Sequence, residues 1–108
     1  MIEKIDDLPR CAGFSEQSRA PVKRVAVLMS GFPEEFRQWV TTDPKTATRI
    51  LDLIDSCLTT PFAGIGKPES LKYLGPDIWS RRVTGDHRLV YVVKHEQIDF
   101  LMCRYHYD

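Results

Sequence analysis

Glu69 in "GKPESLK", Arg88 in "HRLVYVVK" and His106 in the terminal "CRYHYD" are residues whose types could do chemistry together. Attack of a ribose 2′-hydroxyl on the adjoining phosphate needs a base to take the hydroxyl proton and an acid to protonate the leaving 5′-oxygen. It also needs fixed positive charge for the crowded phosphorane. Histidine, with an unperturbed pKa of about 6.5, suits the acid or base role. Arginine, permanently protonated and forked, suits the charge role, and Arg104 adds a second cation near the histidine. Each residue also has an ordinary reading: a terminal surface histidine, an exposed loop acid, an arginine paired with a nearby carboxylate.

These groups act together only if the chain end is tied down, so the elements that hold it matter. The 108 residues make one domain, with 15 basic and 15 acidic side chains and no net charge. A neutral chain does not advertise nucleic acid, although the basic residues crowd into short stretches after Pro61. Cys11, Cys57 and Cys103 are odd in number and widely spaced, and read as free thiols in a reducing cytoplasm. No transmembrane or secretory run accompanies them. Cys103 and His106 are three apart but lack further ligands at metal-site spacing.

Residues 1–21 show no sustained period and read as an N-terminal extension; 22–108 form the domain. "VKRVAVLMS" (22–30) predicts a strand. "PEEFRQWV" predicts a helix with Pro33 in its first turn, Glu34 and Glu35 at the positive end of its dipole, and Phe36, Trp39 and Val40 as its apolar stripe. Asp43 as N-cap and Pro44 at N1 start a second helix, with Ala47, Ile50, Leu51, Ile54 and Leu58 inward. "AGIGKPESLKYLGP" reads as a loop; its glycines lack the other residues of a phosphate loop. Three period-two runs follow at 78–84, 87–94 and 98–107. The pattern predicts an α+β domain, two helices on a mainly antiparallel four- to five-stranded sheet.

Two turns then decide the site. A three-residue "HEQ" loop opposes Lys94 to Ile98 and Arg88 to Arg104, and keeps His106 on the face of Arg88. A two-residue loop separates them. Likewise, a two-residue Gly85-Asp86 turn puts Arg82 on the face opposite Arg88, and a bulge reconciles the two.

The blocks "TPFAGIGKPESLKYL", "WSRRVTGDHRLVYVV" and "CRYHY" resemble, in order and spacing, those of YoeB/Txe-type toxins in the RelE superfamily of bacterial toxin–antitoxin systems. The resemblance implies a fold like that of small microbial ribonucleases, and a ribosome-dependent messenger-RNA endonuclease that cuts in the decoding site without metal or cofactor. It implies Glu69 as general base, His106 as general acid and Arg88 as transition-state stabiliser. Lys72 and Arg82 match positions that contact phosphate or ribosomal RNA, Tyr107 matches the tyrosine that shapes the site, and Arg104 supports it. A YefM-like antitoxin, a homodimer and a cytoplasmic location follow from the same resemblance. Ala63, Ile65 and the longer "GPDIW" lead depart from the family pattern. Two rivals are a ParE-like inhibitor that binds gyrase without cutting RNA, and an RNA-binding module that stacks bases on Tyr105 and Tyr107.

Overall fold

The computed structural model describes residues 23–105, so the expected extension at 1–21 and the site residues His106 and Tyr107 lie outside the described residues. Strand β1 (Val25–Leu28) leads into helix α1 (Phe32–Thr42), then α2 (Pro44–Thr59). Gly31 begins α1 in a left-handed conformation (φ 94°), with Pro33 and the acids Glu34 and Glu35 in the first turn. Asp43 serves both helices. Its backbone N–H donates to the Trp39 carbonyl and closes α1, while its carboxylate accepts from the Thr46 N–H and, at 2.7 Å, from the Thr46 hydroxyl. That side chain satisfies an otherwise orphaned donor of the first turn, as the Asp-Pro pair predicts.

The buried stripe of α2 is Thr46, Ala47, Ile50, Leu53 and Cys57. The expected stripe is therefore turned by roughly a quarter of the helix circumference, at about 100° per residue. Leu51 is 54% exposed, and Leu53 takes the core position. Val40 of α1 is exposed for the same reason, the core contact of that helix running through Phe32 and Trp39. These side chains meet Leu89, Tyr91, Val93, Ile98 and Phe100 from one face of the sheet.

The sheet has five strands in the order β1-β5-β4-β3-β2. β1 runs parallel to β5 (Gln97–Met102), and every other pairing is antiparallel. β3 spans Ile78–Arg82 and β4 Arg88–Val93. The segment around Glu69, expected as loop, contains a short edge strand, β2 (Glu69–Ser70), in which Glu69 pairs with Ser80 and Ser70 with Trp79. Alternation puts Arg81, Leu89 and Tyr91 on the helix side and Glu69, Ser80, Arg82, Arg88 and Val90 on the far face.

Both turn questions are answered by the register. The Val83 and Thr84 N–H groups both donate to the His87 carbonyl, so the β3–β4 turn is the three residues 84–86. Arg82 is consequently the direct partner of Arg88, on the same face. Between β4 and β5, the Lys94 N–H donates to the Gln97 carbonyl, which leaves His95 and Glu96 as a two-residue turn rather than the three-residue "HEQ" loop. Val93 pairs with Ile98 and Tyr91 with Phe100, and a bulge then makes Val90 the partner of Met102. The bulge changes phase by one residue, so that Val90 and Met102 pair as they would after a three-residue loop. The Arg88 N–H then donates to the Tyr105 carbonyl, so the expected opposition of Arg88 to Arg104 is not formed. The bulge also divides the expected common face of the last strand: Ile98 and Phe100 join the helix-side core, while Met102 pairs with Val90 of the far face.

Candidate active site

Glu69 stands on edge strand β2 and Arg88 opens β4, with Ser80 of β3 between their strands. The Arg88 guanidinium donates to the Glu69 carboxylate at 3.4 Å, the glutamate side chain being 64% exposed and the arginine 25%. So long and exposed a pair contributes little stability. Both groups remain available to a ligand. They line a cavity of about 540 Å³ with Lys72 and Tyr73 on its exposed rim and the buried residues Ser80 and Val90 beneath. Arg82 is exposed beside Arg88 and extends the positive charge along that face.

The structure thus brings Glu69, Arg88 and Lys72 together, with Arg82 adjoining them. Arg104 is elsewhere. Its guanidinium lies 4.9 Å from the centroid of the Trp39 ring and 5.8 Å from that of Tyr105, and it lines a shallow pocket along α1 with Glu34, Arg37 and Thr41. His106 and Tyr107 follow it, outside the described residues. Among the described residues no three His, Cys, Asp or Glu side chains form a metal-binding group, and no helix is long and apolar enough to cross a membrane.

Sequence reasoning passed over Arg81, which is wholly buried. All five of its hydrogen bonds go to uncharged acceptors. Nε donates to the Tyr91 hydroxyl, Nη1 to the Ser56 hydroxyl and the Ile65 carbonyl, and Nη2 to the Thr60 and Ala63 carbonyls. A guanidinium has five N–H donors, so this set saturates it. The turn that precedes Glu69 is wrapped on this one cation. Gly64 and Gly66 allow the wrap: both have positive φ (114° and 83°), and a Cβ would come within 2.6 Å of the Ser56 hydroxyl and of Leu53 Cδ2 respectively. The sequence held one signal, since strand parity put Arg81 on the same face as Trp79 and Val83. Burial also raises the Tyr91 hydroxyl pKa and pushes the Cys57 thiol up to about 11, Arg81's charge opposing the latter rise.

Two helices on one face of a five-stranded mixed sheet make a fold of the YoeB/RelE-like toxin type. The YoeB/ParE toxin from Agrobacterium tumefaciens superposes with a TM-score of 0.72 at 39% identity, over 77% of this chain and 99% of that one. The YoeB dimer of Staphylococcus aureus gives 0.73 at 32% identity, over 80% and 100%. A family model described as the YoeB-like toxin of bacterial type II toxin–antitoxin systems matches residues 28–107. Toxin YoeB of Escherichia coli K12 is 43% identical over 74 residues, 68% of this chain and 88% of that protein. Toxin RelK of Mycobacterium tuberculosis is 46% identical over 68% and 87%. The chain belongs to the YoeB-like toxin family.

Proposed function

We propose that this toxin is a messenger-RNA endonuclease that acts on the ribosome, in the decoding site, by metal-independent acid–base catalysis. The observation that carries the reading is the Glu69–Arg88 pair over the far-face cavity, a base and a fixed cation within reach of one bound group. Glu69 takes the proton of the 2′-hydroxyl, whose oxygen attacks the adjacent phosphorus. Arg88 stabilises the extra negative charge of the phosphorane. The bond to the 5′-oxygen breaks as His106 donates a proton to it, leaving a 2′,3′-cyclic phosphate and a free 5′-hydroxyl. Lys72 and Arg82 hold neighbouring phosphates of messenger or ribosomal RNA, Arg104 has a supporting role and Tyr107 shapes the site.

A YefM-like antitoxin is the proposed partner, in the cytoplasm, and self-association into a homodimer is proposed beside it. In Staphylococcus aureus a YoeB–YefM heterotetramer has been solved; the YoeB there is 33% identical to this chain and superposes with a TM-score of 0.69. An apolar groove of about 250 Å³ between the helices, lined by Leu28, Phe32, Phe36, Leu51 and Ile54, supports a protein partner.

The test is cleavage of messenger RNA on programmed ribosomes, with chelator present, by wild type and by Glu69→Gln, Arg88→Ala and His106→Ala. Cuts in the decoding site that fall by about 10²–10⁴ in each variant are expected. Ribosome binding without cleavage would move the protein to the binding-only class of inhibitors, and inhibition of gyrase without RNA cleavage would make it a ParE-like inhibitor.

A further inference from the structure

Glu69 stands on β2 and Arg88 on β4, so the 3.4 Å bond between their side chains crosses over β3. Ser80 of β3 stands beneath the crossing, with Glu69 as its partner on one side and Val90 on the other. That position belongs to the face of the sheet away from the helices, yet Ser80 is only 1% exposed. Its hydroxyl oxygen is buried and has no hydrogen-bond partner among the described residues. The neighbours explain why. Ile78 and Val90 are apolar, Arg82 is exposed, and the Glu69 carboxylate is engaged with Arg88. Among the described residues His87 and Arg104 carry the other buried side-chain atoms in this condition, and neither lines the cavity of Glu69 and Arg88; Ser80 does.

A hydroxyl buried without a partner costs stability, and an alanine in its place would carry no such cost. We infer that Ser80 is a further substrate-binding residue: its hydroxyl donates to a non-bridging oxygen of the scissile phosphate when that phosphate enters between Glu69 and Arg88. The inference rests on the reading of this cavity as the site of RNA cleavage.

The bond that covers the hydroxyl is weak enough to open. It is long, and its glutamate end is 64% exposed. Phosphate oxygens offer Arg88 shorter, charge-assisted bonds in exchange. Once Arg88 turns to the phosphate, Glu69 is released to act as base, and the oxygen nearest the sheet meets Ser80. The serine can donate at once, having no other bond to break. As the phosphorane forms, its non-bridging oxygens gain negative charge. The bond from Ser80 is therefore stronger in the transition state than in the bound substrate, and contributes to rate more than to binding.

The experiment compares the full-length chain with Ser80→Ala in three readouts. Thermal unfolding reads the cost of the hydroxyl in the free protein, and the variant should melt about 1–4 °C higher. Single-turnover messenger-RNA cleavage on ribosomes should slow by about 10- to 100-fold with half-saturation nearly unchanged. Inorganic phosphate, titrated against the Arg88 Nε–H signal in NMR (assigned by its loss in Arg88→Ala), should bind about 3- to 10-fold more weakly. A gain in stability joined to a loss of rate is the signature, since a merely structural serine would lose both. A variant that fails to fold or melts lower than wild type would show that the hydroxyl already has a partner in the free protein. One that cleaves at the wild-type rate would show that the phosphate does not reach it. Either result overturns the inference. Should wild type not cleave RNA, the proposed function falls, and the phosphate titration alone judges Ser80: an unchanged Kd overturns its role.

Discussion

Arg82 and Arg88 are direct partners across the β3–β4 ladder, two cations opposed on one face of the sheet. Like charges at such a position disfavour the strand pairing. Glu69 compensates one of them over 3.4 Å, which leaves positive charge in excess beside the cavity. A polyanion lying across that face would relieve the repulsion.

Replacing Arg82 by Thr should therefore raise the melting temperature slightly, by about 1–3 °C, while weakening binding of RNA to the ribosome-free protein. Millimolar sulfate should raise the melting temperature of wild type more than that of Arg82→Thr. Thermal shift measurements with and without sulfate check both statements; a variant less stable than wild type would show that Arg82 is a structural residue.

Arg81 should behave in the opposite way. Arg81→Met leaves three part-buried carbonyls and the Ser56 hydroxyl without their donor, while the Tyr91 hydroxyl keeps its bond to the Pro61 carbonyl, and should lower stability by about 3 kcal/mol in urea unfolding. Arg81→Lys, with three donors for five acceptors, should fall between them.

Asp99 sets an acid limit on stability. It is nearly buried, its oxygens 2.7 Å from Lys94 Nζ and 2.6 Å from Gln97 Nε2, and these two partners hold its pKa below the usual carboxylate value. A depressed folded pKa means that this contribution is full above the unfolded value, about 3.9, and is lost as pH falls through the folded one. Asp99→Asn should lose about 1 kcal/mol at pH 7, the exposed Lys94 end keeping the figure small. Urea titrations should show wild type and variant converging as pH falls below the unfolded carboxylate value.

Cys57 and Cys103 should resist alkylation in the folded protein. Burial pushes their thiols up to about 11 and about 12, so almost no thiolate exists at pH 8. In a Cys11→Ser background, iodoacetamide should modify the chain only after denaturant is added, as mass spectrometry would report.

Local signals in the sequence were read well. Asp43-Pro44 marked the boundary between the helices because a side-chain cap and a fixed φ act within a few residues. The strands at 78–84 and 87–94 were visible because alternation is a local pattern. The α2 stripe was misplaced because Leu51 and Leu53 are chemically equal, and only the packed sheet selects between them. Glu69 read as loop because a two-residue strand is defined by its partner, Ser80, and not by its own period. The bulge at Leu101 had no mark of its own, since neither glycine nor proline stands there. The bond from the Cys103 N–H to the Glu35 carboxylate was illegible because donor and acceptor lie 68 residues apart.

The ring of acceptors around Arg81 has a consequence for enzymology. Two hydroxyls and three carbonyls neither gain nor lose protons over the range in which RNA transesterification is measured, and burial moves the Tyr91 hydroxyl still further from it. The support beneath Glu69 is therefore silent to titration. A bell-shaped rate profile recorded for this toxin would report the groups above the sheet, without distortion from the joint that carries them.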